Sequence, residues 1–213
     1  MSRKIETQVS QRQLNKDLKK YRQKALDLGA DDAEIITSDT VLVDERVRAK
    51  CVNPKCPLYG TNANCPPHAL DTDMVKSIVN RFKVGIFIRF KMPSKIILSQ
   101  NDDDKKKWRD VTLKNFEIIS KLEADAFYDG YYLASGLAGS SCKILFCPNM
   151  DCTALTPGQG CRNPLKARSS MEGWSIDAFR MAANMGWDVY PIGGSSTASN
   201  VPYGSRLGLV LIH

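Results

Sequence analysis

The chain of 213 residues is 43% hydrophobic and 25% charged, the proportions of a folded globular protein rather than a disordered or fibrous one. Thirty Lys and Arg against 23 Asp and Glu leave a formal charge of +7. The basic residues nevertheless form no nucleic-acid-binding stripe: Lys16, Lys19, Lys20 and Lys24 share the outer side of one amphipathic segment, and Lys105, Lys106 and Lys107 follow Asp102, Asp103 and Asp104.

No apolar run approaches the about 20 residues of a membrane helix, and the opening residues lack the pattern of an export signal. Neither nucleic acid nor membrane is therefore expected as a partner, and a cytoplasmic location is. Leu14, Leu18, Tyr21, Ala25 and Leu28 recur at helical spacing and Gly29 follows, which predicts an N-terminal amphipathic helix with a glycine stop. Residues 33–37 and 41–43 read as strands leading into a first cysteine-rich stretch. Beyond Cys65, Asp71 is placed to cap a helix with Met74, Ile78 and Phe82 inward, and the apolar run 84–90 reads as a strand. A long helix over about 103–128 sets Phe116, Ile119, Leu122 and Ala126 on one face, ends at Gly130 and precedes a strand over 131–134. The second cysteine-rich stretch leads to a helix over 170–185 stopped by Gly186, a strand over 187–190, a Gly-Gly-Ser-Ser connection and a final strand over 207–212. Alternating strands and helices predict an α/β or α+β fold, one domain over 1–213 with a central sheet and flanking helices.

Seven cysteines, Cys51, Cys56, Cys65, Cys142, Cys147, Cys152 and Cys161, punctuate this scaffold. An odd number leaves a remainder after pairing, and cytosolic thiols stay reduced, so metal thiolate chemistry is the better reading. The first three and the last three share the spacing C-x4-C-x8-C, displaced by 96 positions. That marks a pseudo-repeat of cysteine loop, helix and strand at about 51–90 and 147–191. Asn62 and Asn64 fall in register with Gly158 and Gly160, residue types that accept positive φ, so the same turn is expected in both loops, with amide donors aimed at the metal centre.

Structural zinc sites bring ligands in tight C-x2-4-C knuckles, and neither half contains a C-x2-C. Pro directly after Cys56, Cys65 and Cys147 resembles the ending of bacterial ferredoxin motifs. One or two [4Fe-4S] clusters are therefore the favoured cofactor, with zinc as the alternative. Cys142 supplies a fourth thiol to the second set, whereas the first has three. The remaining position there falls to solvent, to an exogenous small ligand or to His68, unless the two loops exchange ligands. Tyr59, Asn62, Asn64 and His68 are candidates to bind or orient such a ligand. Arg46, Arg48, Arg162, Lys166 and Arg168 flank the loops, where cations would raise cluster potentials or hold an anion. Ser169, Ser170 and Glu172 read as helix capping, and Trp174 and Trp187 as packing groups.

The stretches CVNPKCPLYGTNANCPPH at 51–68 and CRNPLKARSSMEGWSIDAF at 161–179 resemble the cysteine-rich, predicted metal-binding family known as domain of unknown function 2284, found largely in anaerobic archaea and bacteria. The likeness extends from about Leu14 to the final strand. It implies metal binding, as iron–sulfur, in redox or small-ligand chemistry of anaerobic metabolism, and no particular reaction. Three classes of function follow. One is an enzyme using an open iron of the three-cysteine site. The others are a saturated electron carrier that meets a redox partner protein, and a zinc-binding structural module.

Overall fold

Apolar residues three and four apart carry the chain into its first helix, α1 (Gln11–Asp27), in which Leu14, Leu18, Tyr21 and Ala25 are buried and Ser10 caps the start. Gly29, at φ 96°, turns the chain out of it, a backbone state that costs glycine no Cβ clash. The computed structural model describes residues 2–6 and 8–213. Strand β1 (Asp32–Thr37) follows, then helices α2 (Glu45–Val52) and α3 (Thr72–Val79). Strand β2 (Val84–Pro93), a short α4 (Ser94–Ile97) and the long α5 (Asp102–Tyr128) come next. Three aspartates open α5, where negative charge suits the helix dipole. The chain then forms β3 (Ser135–Leu137), α6 (Cys142–Phe146), α7 (Ala178–Asn184) and β4 (Tyr203–Leu211). No helix among the described residues is long and apolar enough to cross a membrane.

The strands order as β1-β2-β4-β3, and every pair is antiparallel. The expected α/β class is met in its α+β form. Side-chain alternation splits the core in two. Ile86, Ile88, Phe90, Val210 and Ile212 pack against α1 and α5. Phe87, Leu207, Leu209 and Leu211 face the other way, towards α3, α7, Met171 and Ile176. With both faces covered, β2 reads as a nearly continuous apolar run, and each such side chain contributes about 1.5–3 kcal/mol on burial.

Several expected elements differ. Residues 41–43 form no strand; Val43 makes one isolated bridge, to Ile176. In α3 the Asp71 cap is present, but Thr72, Val75 and Val79 face inward and Met74 is exposed, one position off the expected face. Two adjacent apolar pairs, Met74-Val75 and Ile78-Val79, left that choice to tertiary packing. Residues 131–134 precede rather than form β3, and Tyr131 is buried with its hydroxyl donating to Asp17 at 2.9 Å.

The helix expected over 170–185 is broken into a 3-10 turn at Glu172–Trp174 and α7, with the buried Ser175 at φ 58° between them. The reason lies in long-range pairing. Ala138 exchanges hydrogen bonds with Ser169 and Met171 on one side, while Ser175 and Asp177 bond Asp44 and Leu42 on the other. A continuous helix would forfeit these. Residues 187–190 form no strand, because Trp187 turns inward to stack on Phe87 at 5.1 Å. Helix follows cysteine loop in both halves, but in the second the next strand is β4, which begins only at Tyr203.

Candidate metal centre

Helix α6 starts on Cys142 itself, with Ser141 capping it by accepting from the Lys143 N–H at 3.3 Å. Five residues are too few to hold a helix by propensity, and α5 supplies the support. Arg109 donates to the carbonyls of Ile144 and Leu145 at 3.3 and 2.8 Å, and Phe116 meets Phe146 edge to face at 5.3 Å. The fully buried Asn115 accepts from the Gly139 N–H at 2.9 Å and donates to the Leu207 carbonyl at 3.3 Å. These contacts fix the end of β3 and thereby Cys142.

Cys147 ends α6, and Cys152 directly precedes the 3-10 turn Thr153–Leu155. The Thr153 hydroxyl then donates to the Gly160 carbonyl at 2.8 Å, which closes the loop just before Cys161. A cavity of about 100 Å³ lies inside, walled by Cys142, Cys147, Cys152 and Cys161 together with Asn64 and Phe146. Amide donors reach the sulfurs. Asn64 Nδ2 donates to Cys142 Sγ at 3.3 Å; the Asn163 backbone N–H donates to Cys161 Sγ at 3.3 Å and its Nδ2 to Cys147 Sγ at 3.5 Å. Burial pushes the Cys142 thiol up to about 11; the Asn64 hydrogen bond opposes this, and the Cys65, Cys161 and Cys152 sulfurs add to it. A bound cation reverses that balance by deprotonating its thiol ligands.

The first loop is built on α2. Asp44 caps the helix by accepting from the Arg46 N–H at 2.9 Å, and Cys51 sits in the last turn. The Cys56 N–H returns to the Cys51 carbonyl at 3.0 Å. Arg48 draws the far end of the loop inward, donating to the Leu70 carbonyl at 2.7 Å and to those of Ala69 and Pro67 at 3.4 and 3.5 Å. Burial raises the Cys51 thiol, and the nearby Cys56 and Cys65 sulfurs raise it further. Cys65 is buried, with its sulfur 3.4 Å from Ser141 Oγ.

The shared turn expected of the two loops does not form. Gly158 has φ 75°, but in the first loop the positive φ falls at Gly60, at 76°, and not at Asn62 or Asn64. Those two asparagines act through side chains instead: Asn62 Oδ1 accepts from the Asn64 N–H at 3.0 Å, and Asn64 reaches Cys142. Tyr59 is half-buried, with Lys55 over its ring at 5.5 Å. His68 is exposed, and its backbone N–H donates to the Cys65 carbonyl at 3.0 Å. The flanking arginines hold backbone and carboxylates rather than sulfur. Arg46 pairs with Asp44, Arg162 donates to the Asp151 carbonyl at 2.8 Å, and Arg168 pairs with Glu123. Trp187 packs as expected, under Arg89 at 4.7 Å.

Sequence reasoning missed Ser141 and Asn163, and it read Ser169 as a helix cap, whereas the Ser169 hydroxyl donates to Asn64 Oδ1 at 2.9 Å and Ser170 does the capping. For Asn163 a signal existed: Cys-x-Asn-Pro recurs at 51–54 and 161–164, outside the 96-residue register. Ser141 and Ser169 carried none, since their partners lie 76 and 105 residues away.

Among the described residues, no three His, Cys, Asp or Glu side chains converge closely enough for a single ion. The four cysteines instead stand around a cavity with no carboxylate or imidazole in its wall. That donor set fits a thiophilic centre. The sequence model of the family described as predicted metal-binding protein, DUF2284, matches residues 34–212. The chain belongs to this family. No curated protein and no solved structure matches it. The DUF2284 match takes in all seven cysteines and nearly the whole sheet, and leaves α1 outside.

Proposed function

We propose that this DUF2284 protein is an iron–sulfur protein. In this reading Cys142, Cys147, Cys152 and Cys161 hold one [4Fe-4S] cluster. Cys51, Cys56 and Cys65 hold a second, with one iron lacking a thiolate. The observation that carries it is the convergence of four thiols on a single cavity of about 100 Å³, with N–H donors already on three of the sulfurs. Their spread around a void suits a polynuclear centre better than the tight tetrahedron of a structural zinc site.

Bound there, a cluster would supply one-electron transfer, and an iron without a thiolate would supply a position for a small exogenous ligand. The chain's own part is distinct. Asn64 and Asn163 stabilise negative charge on sulfur, and Phe146 keeps water from one side. Tyr59 and His68 lie on the loop of the three-cysteine site, the place to meet a small ligand, while the buried Asn62 braces that loop. The cytoplasm of an anaerobe is the matching setting, with a redox partner protein to exchange electrons.

Anaerobic purification with iron, sulfide and zinc analysis tests this. The expected outcome is a brown protein with about eight irons per chain, matched by sulfide, that bleaches in air, and about four irons would leave only the four-cysteine cluster. A colourless protein with stoichiometric zinc and no sulfide refutes it.

A further inference from the structure

Two adjacent residues of the first loop meet two adjacent residues of the second, one cysteine in each pair. Cys65 Sγ lies 3.4 Å from Ser141 Oγ, and Asn64 Nδ2 donates to Cys142 Sγ at 3.3 Å. Each contact thus joins a cysteine of one loop to the polar neighbour of a cysteine in the other.

The polar members are held in position. Asn64 Oδ1 accepts from the Ser169 hydroxyl at 2.9 Å, which leaves Nδ2 for the sulfur, and the Asn64 N–H is fixed on Asn62 Oδ1 at 3.0 Å. Ser141 Oγ accepts from the Lys143 N–H at 3.3 Å and from Asn62 Nδ2 at 3.5 Å. As a thiol, Cys65 Sγ donates to Ser141 Oγ at 3.4 Å; once Cys65 is a thiolate that donation is gone, and the hydroxyl hydrogen is free to turn to the sulfur. Gly173 closes against the same place: a Cβ there would stand 2.8 Å from the Asn64 carbonyl oxygen.

We propose that this crossed contact couples the two cysteine sites, with Asn64 as the positioning residue that sets the reduction potential of the four-cysteine centre according to the state of Cys65 beside it. The inference rests on the iron–sulfur reading above. An N–H donated to a sulfur ligand stabilises the more negative, reduced state and raises the potential. Asn64 is covalently next to Cys65, so a metal that draws Cys65 towards it shifts the amide on Cys142. Such coupling is reciprocal, and Ser141 is its return path: it adjoins Cys142 and faces Cys65.

The test is potentiometric titration of the anaerobically purified protein, followed by paramagnetic resonance. The couple missing from Cys152→Ser identifies the four-cysteine centre. Asn64→Asp keeps the shape and loses the donor. It is expected to retain iron and sulfide while shifting the reduction equilibrium of that couple about tenfold towards the oxidised state, 59 mV for one electron. Asn64→Ala should shift it less, since no charge is added. Cys65→Ser should also move this couple, although Cys65 is not among its four ligands. A merely structural role for Asn64 would lower stability or iron content and leave the potential in place.

Should Asn64→Asp lose its cluster, Ser169→Ala retains the donor and frees the amide, and a smaller shift in the same direction is expected. An intact cluster whose potential ignores Asn64→Ala and Ser169→Ala overturns the inference alone. A parent with zinc and no sulfide overturns the iron–sulfur reading and the inference with it.

Discussion

The two cysteine regions share a spacing and differ in what holds them. The second hangs from the sheet: Cys142 follows β3 closely, and α5 grips the loop through Asn115, Arg109 and the Glu123–Arg168 ion pair. The first hangs from α2, which has no buried residue of its own. Its fastenings are Arg48 on three carbonyls and the side chains of Asn62 and Asn64, which bind the second region. Equal cysteine spacing therefore does not give equal surroundings. The second region is part of the core's architecture, and the first depends on it.

The most direct way to break this comparison is to remove one thiol from each region. Cys147→Ser or Cys152→Ser should lose the metal of the second centre and lower the melting temperature by about 10 °C. Metal-binding free energy at a site that folding assembles is folding free energy, and each kcal/mol moves a chain of this size by roughly 2–4 °C. Cys56→Ser should cost less than half as much and leave the second centre loaded. Equal losses in metal analysis and thermal melts would erase the distinction between the regions.

Two buried contacts give the next effects. Asn115→Leu strands the Gly139 N–H, so urea unfolding should show a loss of about 1–3 kcal/mol, with metal lost first from the second region. Gly173→Ala forces a Cβ against the Asn64 carbonyl at 2.8 Å and Ser170 Oγ at 3.2 Å. A cost of about 1–3 kcal/mol is expected from such overpacking. Here the first region should lose metal while the second retains it, and the reverse pattern would show that Gly173 serves the second loop instead.

The smallest effect belongs to the α2 cap. The Arg46 guanidinium and backbone N–H hold the half-buried Asp44 carboxyl down to about 2. Since the folded value lies below the unfolded one, the contribution of this pair is complete above about pH 4 and disappears as pH falls towards 2. Asp44→Asn should thus melt slightly below the parent at pH 6, with the gap closing in acid. A gap that persists at pH 2 would assign it to the cap geometry rather than to charge.

What the sequence determined by itself was whatever short segments encode. The spacing of Leu14, Leu18, Tyr21 and Ala25 made α1, the side chain of Asp71 capped α3, and the apolar runs marked β2 and β4. Cys142, Cys147, Cys152 and Cys161, which the sequence suggested as one set, line one cavity. Tertiary structure decided the rest. It broke the expected helix at Ser175 to serve Ala138 and Asp44, and it turned Trp187 onto Phe87 in place of a strand. It also gave Asn62 and Asn64 side-chain duties where a backbone turn was expected, because Ser141, Ser169 and Gly173 close on them from far along the chain. Periodicity and capping act within a turn or two of backbone, whereas the partner of a buried polar group is chosen only when distant segments meet and each donor and acceptor must be satisfied.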